Sequence, residues 1–289
     1  MTEKVAFNPA AFGASRVEKP APAVHVPDTL AFNPQAINQR LQVERQSIVD
    51  LRTAPLGPVG QWSMSRLFEF ENCPHAVYLG KVMKMPTPSG PAADRGTQVH
   101  NHIEGYIQGE HADVIKEMNG FIKLIDLLRD EFIEGRVEVE GDWAYDRNWT
   151  TTGWTDKDCW ARMKLDALWH ESDTSADIID WKTGRKFGNE LKHNQQGMGY
   201  AIGAFHRYPN LQFVNVKFAY LDKSDELIGS YTRKQAELLQ PMLTERADKM
   251  TTCTDFAPKP SFSACRWCAH KNVQEGFDEP ACKYSYEGI

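Results

Sequence analysis

Two strand-like runs lie close together between residues 158 and 184, and each carries charge where a buried strand is usually apolar. The first, DCWARMKLDALWH (158–170), holds Asp166. The second, ADIIDWKTG (176–184), holds Asp180 and Lys182 just after Ile178 and Ile179. The stretch HESDTS that joins them is polar and short enough for a hairpin. Side chains at i and i+2 of a strand share a face. Asp180 and Lys182 therefore point together, while Ile179 and Trp181 point the other way. Pairing of the two strands brings Asp166 beside Asp180.

Two carboxylates converging on one spot repel unless a cation lies between them. Hard oxygen donors suit Mg²⁺ or Mn²⁺. Such an ion polarises a phosphodiester and lowers the pKa of bound water, and Lys182 stands where it can orient that water. A D-x-K motif on a solvated sheet face would need no metal. The apolar ADII that leads into Asp180 argues instead for a buried strand, where unpaired charge is costly.

The rest of the chain places these strands in an α/β fold. Helical spacing is read in the segments 61–82, 96–109, 118–133, 193–208 and 232–250, the last with Pro241 inside it. A Ser at 63 or 65 can cap the first of these, with Leu67, Phe70 and Phe68 on its apolar face. Further strands are expected at 136–146 and 213–222. Helix, strand meander, helix, strand, helix predicts a mixed sheet flanked by helices. Glu138, on the strand before Asp166, is a further candidate for the site.

Residues 1–58 differ in texture, being rich in Pro and Ala, and we read them as a flexible N-terminal arm. The arm contains a near-repeat, AFNPAAF at 6–12 and AFNPQAI at 31–37. Asn before Pro suits a helix start, and Ile37, Leu41, Ile48 and Leu51 have helical spacing. Beyond a tethered arm with one surface helix, the repeat suggests a docking peptide for a protein partner, anchored by Phe7 and Phe32. The second domain is residues 59–289.

The chain has 289 residues, 41% of them hydrophobic, and a net charge of −6. That balance argues against coating nucleic acid through bulk charge, but allows a local basic groove. No apolar run is long enough for a membrane span, and the N-terminus lacks a basic start followed by an apolar block, so a cytoplasmic protein is expected. Of the six cysteines, Cys265, Cys268 and Cys282 cluster near the C-terminus, while Cys73, Cys159 and Cys253 are scattered. In a reducing compartment this favours a metal site over disulfides. Cys265-x-x-Cys268 is a chelating pair, for which a cluster and zinc are both open.

Four short motifs occur in order: G-T-x-x-H (Gly96, Thr97, His100), K-L-D-A (Asp166), I-I-D-W-K-T-G (Asp180, Lys182) and Q-x-x-x-Y (Gln196, Tyr200). Together they resemble RecB-like nucleases of the PD-(D/E)xK superfamily, including CRISPR-associated and phage-encoded iron–sulfur exonucleases. The resemblance covers roughly residues 61–289. It implies a restriction-endonuclease-like core, with terminal helical segments stapled by a metal cluster. It implies metal ligation by His100, Asp166, Asp180 and the backbone carbonyl of Trp181, with Lys182 at the reacting water. Glu104, one turn from His100, is a supporting residue. Gln196 and Tyr200, four apart on a helix, would steady Lys182 or touch a DNA phosphate.

The resemblance also implies a [4Fe-4S] cluster on Cys73, Cys265, Cys268 and Cys282. Structural Zn²⁺ is the alternative. The spacing from Cys268 to Cys282 is longer than in that family, which keeps Cys253 in reserve; Cys159 and Cys253 otherwise read as buried thiols. The expected activity is a Mg²⁺- or Mn²⁺-dependent DNA exonuclease in recombination, repair or phage replication, acting on duplex ends or single strands. A structure-specific endonuclease with the same site, and a non-catalytic iron–sulfur or zinc DNA-binding module, are the alternatives.

Overall fold

A computed structural model describes residues 34–184 and 186–286. The chain divides into two units, residues 1–46 and 47–289. Phe7 and Phe32, with the first AFNP copy, lie outside the described residues. In the first unit the described part is the beginning of helix α1 (Pro34–Thr53), where Ile37 and Leu41 are exposed.

The second unit is built on one six-stranded sheet in the order β2-β1-β3-β4-β5-β6. Its strands are β1 (Val137–Tyr145), β2 (Thr151–Thr152), β3 (Ala161–Ser172), β4 (Ser175–Lys182), β5 (Phe213–Tyr220) and β6 (Asp225–Thr232). All neighbours are antiparallel except β4 and β5, which are parallel and joined by helix α6 (Glu190–Arg207). The mixed sheet flanked by helices is the α/β core expected from sequence. β6 was not anticipated: DELIGSYT carries acids, Gly229 and Ser230, and as an edge strand it buries little of its length.

Before the sheet come α2 (Met64–Asn72), α3 (Pro74–Val77), α4 (Pro91–Gln108) and α5 (Ile122–Ile133); α7 (Arg233–Thr251) and α8 (Phe262–Cys265) follow it. Ser63 caps α2, accepting the Arg66 amide. Cys73-Pro74 ends α2, because proline has no amide to continue the ladder, and the chain turns through α3 into a wide turn at Tyr78–Val82. Pro241 sits inside α7. Among the described residues no helix is long and apolar enough to cross a membrane.

Two apolar cores lie on the two faces of the sheet. One gathers Trp62, Trp143, Trp149, Trp160 and the buried face of α6; the other gathers Val99, Ile103, Ile125, Ile179 and Trp181 from α4, α5 and β4. β1 serves both. Val137 and Val139 face the second core, yet Trp143 and Tyr145, at the same parity, face the first. The reversal falls at Glu140, whose φ of 48° lies in the left-handed region that side chains rarely adopt. β3 reverses in step: Met163 and Leu165 face the first core, Ala167 the second, with Asp166 between them.

α6 rests tightly on this sheet because glycines line its inner side. A β-carbon at Gly203 would stand 2.8 Å from Met163 Sδ and 3.0 Å from the Tyr145 hydroxyl. The end of α1 is tied to α7 through Asp248, which is fully buried and accepts hydrogen bonds from Arg52 (3.0 Å) and Arg147 (2.8 Å). Removing one partner of such a network leaves like charges uncompensated. Asp248→Ala should lower unfolding free energy by about 3 kcal/mol or more, read as a drop in urea midpoint; a change below about 0.5 kcal/mol, the size of an ordinary surface substitution, would show that the arginines are solvated.

Candidate active site

The hairpin of β3 and β4 pairs through Ala167 and Ile179, and the ladder ends there. The next position in the same register sets Asp166 against Asp180. Here a side chain replaces the ladder, as the Trp181 N–H donates to Asp166 Oδ2 at 2.7 Å. The Lys164 carbonyl is taken by the Tyr200 hydroxyl at 2.8 Å. The Trp181 amide and the Lys164 carbonyl thus keep partners where the strands part, and the opening holds both carboxylates.

Asp180 is almost wholly buried. Its Oδ2 accepts from Gln196 Nε2 at 3.1 Å and lies 3.1 Å from the Tyr200 hydroxyl, which itself receives a bond from Gln196 at 2.6 Å. Tyr200 has a single proton, so it serves either the Lys164 carbonyl or Asp180 at any moment. The amide and phenol therefore hold Asp180; the structure does not show the expected contact with Lys182. Asp180 Oδ1 lacks a well-aligned hydrogen bond but faces Lys182 Nζ at 2.5 Å. We regard this as an ion pair of poor hydrogen-bond angle, with lone pairs left over for a cation.

His100 reaches in from α4, placing Nδ1 3.1 Å from Asp166 Oδ1. Gly96 on the same helix lets it approach the end of β4, since a β-carbon there would lie 3.3 Å from Thr183 Oγ1. Burial favours a neutral His100, but the Asp166 hydrogen bond and the charges of Asp166 and Asp180 overcome it and raise its pKa. Burial, aided by Asp180, pushes the Asp166 carboxyl up against the opposing pull of His100. Among the described residues, no three His, Cys, Asp or Glu side chains form a ready ligand sphere. At the carboxylates the reason is visible, because His100 is turned onto Asp166 and Lys182 onto Asp180. The donor set still fits a hard divalent cation: two converging carboxylates and an adjacent imidazole, with only cationic or donor groups offsetting their charge.

Glu138 does not join the site. It binds the Tyr208 hydroxyl and lies 3.7 Å from His170 Nε2. Glu140, two residues on, stands in register opposite Asp166, and its carboxylate pairs with Lys164 Nζ at 3.0 Å. Glu104 bonds Gln108 at 3.2 Å, and burial followed by the charge of Glu140 raises its pKa. Trp181 buries its indole in the second core. His193, one turn before Gln196, was missed because nothing in its local sequence marks it. It stacks on Phe218 and lies 2.5 Å from the Tyr220 hydroxyl.

The four cysteines of the expected cluster set, Cys73, Cys265, Cys268 and Cys282, line one small cavity. All six cysteines are free thiols. Backbone amides of Lys259 and Tyr286 donate to the sulfurs of Cys73 and Cys265, each at 3.4 Å. Burial, reinforced by the other thiols of the set, raises the pKa values of Cys268 and Cys282. Cys253 is engaged elsewhere, with the Asp255 carbonyl at 3.1 Å, and Cys159 is buried with the Ala161 carbonyl. Soft sulfur donors of this kind suit zinc or an iron–sulfur cluster.

The sequence matches the family described as the PD-(D/E)XK nuclease superfamily over residues 61–171 and 162–273. The chain belongs to the PD-(D/E)XK nuclease superfamily. The superfamily match spans β3, β4 and α6, and so both carboxylates and Lys182. No curated protein sequence matches the chain. Among solved structures it is similar to SSO0001, with 13% identity, coverage of 82% of this chain and 94% of that one, and a TM-score of 0.43. It is similar to a candidate exonuclease from Eubacterium rectale at 14% identity, covering 75% and 90%, with a TM-score of 0.44. It is also similar to an alkaline exonuclease from Laribacter hongkongensis at 12% identity, covering 66% and 87%, with a TM-score of 0.34.

His193 gives a pH test. Burial, then the charge of Lys182, lowers its pKa to about 4. The folded pKa is below the ordinary value of about 6.5, so the unfolded chain binds the proton first and stability falls as pH drops from 6.5 towards 4. His193→Gln should flatten this part of the stability profile, measured by urea midpoints across that range. Parallel profiles for the two proteins would rule out a neutral imidazole at this half-buried position.

Proposed function

We propose that this nuclease cleaves DNA with Mg²⁺ or Mn²⁺, working as an exonuclease on strand ends or single strands. The observation that carries the reading is the convergence of Asp166 and Asp180 at the parting of β3 and β4, with Lys182 beside them. His100, Asp166, Asp180 and the Trp181 carbonyl are the groups we assign to the metal. When bound, the ion supplies Lewis-acid polarisation of the phosphodiester and a more acidic water. Lys182 balances charge at the reacting phosphate and positions the attacking water. Gln196 and Tyr200 fix the rotamer of Asp180, so that its orientation does not have to be found anew in each turnover. The roles in recombination, repair or phage replication, and a cytoplasmic setting, belong to the same reading.

We assign a [4Fe-4S] cluster to Cys73, Cys265, Cys268 and Cys282, in a structural role. The support is their common cavity and the amide donors to two of the sulfurs. Such donors favour thiolate ligands. Residues 1–58 are proposed as an arm, with Phe7 and Phe32 as anchors for a protein partner, and residues 59–289 as the nuclease domain.

Two measurements test this. Asp180→Ala should reduce degradation of end-labelled linear DNA in Mn²⁺ by on the order of 10²-fold or more; equal degradation by both proteins refutes the nuclease site. Cutting of closed circular DNA by the wild type would replace exonuclease by endonuclease. Purification without oxygen should give a brown protein containing iron and sulfide, whereas stoichiometric zinc alone would overturn the cluster.

A further inference from the structure

The α6 residues expected to steady Lys182 hold Asp180 instead, so the lysine takes its direction from elsewhere. A lysine ammonium ends a flexible four-carbon stem and has no fixed plane. Asp180 Oδ1, at 2.5 Å, is one anchor, but Asp180 is also assigned to the metal and is a poor sole support. A second contact comes from β5. Lys182 Nζ lies over the ring of Phe218, 5.4 Å from its centroid, where the electron-rich face of an aromatic ring attracts a cation.

The parallel pairing of β4 and β5 sets this up. Asp180 stands opposite Phe218 and Lys182 opposite Tyr220, and residues at this spacing share a face of the sheet. Phe218 and Tyr220 are both buried. α6 comes close to Phe218 because Gly197 has no side chain; a β-carbon there would stand 3.2 Å from Phe218 Cε2. One turn earlier on the helix, the His193 ring stacks on Phe218, with centroids 5.2 Å apart and planes at 17°. His193 Nδ1 lies 2.5 Å from the Tyr220 hydroxyl, so two β5 residues fix the imidazole and the imidazole fixes the phenyl ring.

The functional row on α6 is therefore longer than Q-x-x-x-Y. His193, Gln196 and Tyr200 follow one helix face, and all three line the same cavity as Lys182. Gln196 and Tyr200 serve Asp180, whereas His193 reaches Lys182 through Phe218. Burial and then the charge of Lys182 hold the His193 pKa at about 4; Lys192 acts in the same sense, and Asp180 and Glu190 oppose it. A neutral ring can stack here without repelling the ammonium. We propose that the His193–Phe218 stack is a platform that directs the Lys182 ammonium, making both of them positioning residues for cleavage. The role of Lys182 rests on the nuclease reading, but the stack does not.

The test has two arms on the full-length protein. In the first, ¹³C-lysine NMR without metal or DNA follows the Lys182 ε-methylene, assigned through its loss in Lys182→Arg. Ring current should displace this resonance upfield of the exposed lysines. Phe218→Leu should return it to their range, and His193→Ala should move it towards them. In the second arm, His193→Ala should lower kcat on end-labelled linear DNA in Mn²⁺ about tenfold, with KM within about threefold. His193→Phe keeps a stacking ring but cannot bond Tyr220, and should recover most of the lost rate. That recovery separates stacking from a general loss of structure. A Lys182 resonance among the exposed lysines, or one that neither variant moves, overturns the platform. So does an unchanged kcat in His193→Ala, a loss confined to KM, or no recovery in His193→Phe. If Asp180→Ala cleaves like the wild type, the nuclease reading fails and the lysine resonance alone decides whether the stack stands.

Discussion

The hydrogen bond from the Trp181 amide to the Asp166 carboxylate is the constraint on which the site is built. A ladder that ended without it would leave a buried N–H unpaired, at a cost of about 1–3 kcal/mol. Because a side chain takes over where a strand carbonyl would otherwise serve, β3 and β4 can separate without that loss. The gap admits His100 from one face of the sheet and Asp180 from the other. Tyr200 completes the exchange by taking the Lys164 carbonyl. Pairing of these backbone groups and assembly of the candidate site are therefore one event, since Asp166 and Tyr200 take part in both.

Much of this could be read from the chain, and the limits have physical reasons. The two-residue period of a strand put Asp180 and Lys182 on one side, and the hairpin length put Asp166 next to Asp180; both depend only on local geometry. Glu138 was misjudged in favour of a regular strand. The left-handed backbone at Glu140 inverts the faces of β1, and no residue type announces such a turn when the residue is not glycine. The partner of Gln196 and Tyr200 was also out of reach, since their helical spacing says that they stand together and not what they touch. β6 escaped because an edge strand open to solvent needs no apolar alternation.

The cysteine cavity and the carboxylate opening share a sequence logic. Each joins distant parts of the chain: Cys73 meets Cys265 and beyond, and His100 meets Asp166. Spacing alone left Cys253 and Cys282 as rivals. The fold separates them, since Cys282 enters the cavity after its amide bonds the His270 carbonyl at 2.9 Å, while Cys253 stays near the end of α7.

The reversal at Glu140 also bears on how such a sheet can change. A single strand ordinarily has one phase of inward and outward residues, and a slip by one position turns all of them over. Here β1 carries two phases joined at one residue. A deletion before Glu140 would exchange inside for outside only in the part that covers α4 and α5, while the tryptophan-rich half kept its order. The strand thus behaves as two short modules with a swivel between them, and the swivel lies directly opposite Asp166. Lineages of this fold could vary the helical layer on one side of the sheet without disturbing the aromatic layer on the other, with the carboxylates standing at the one point common to both.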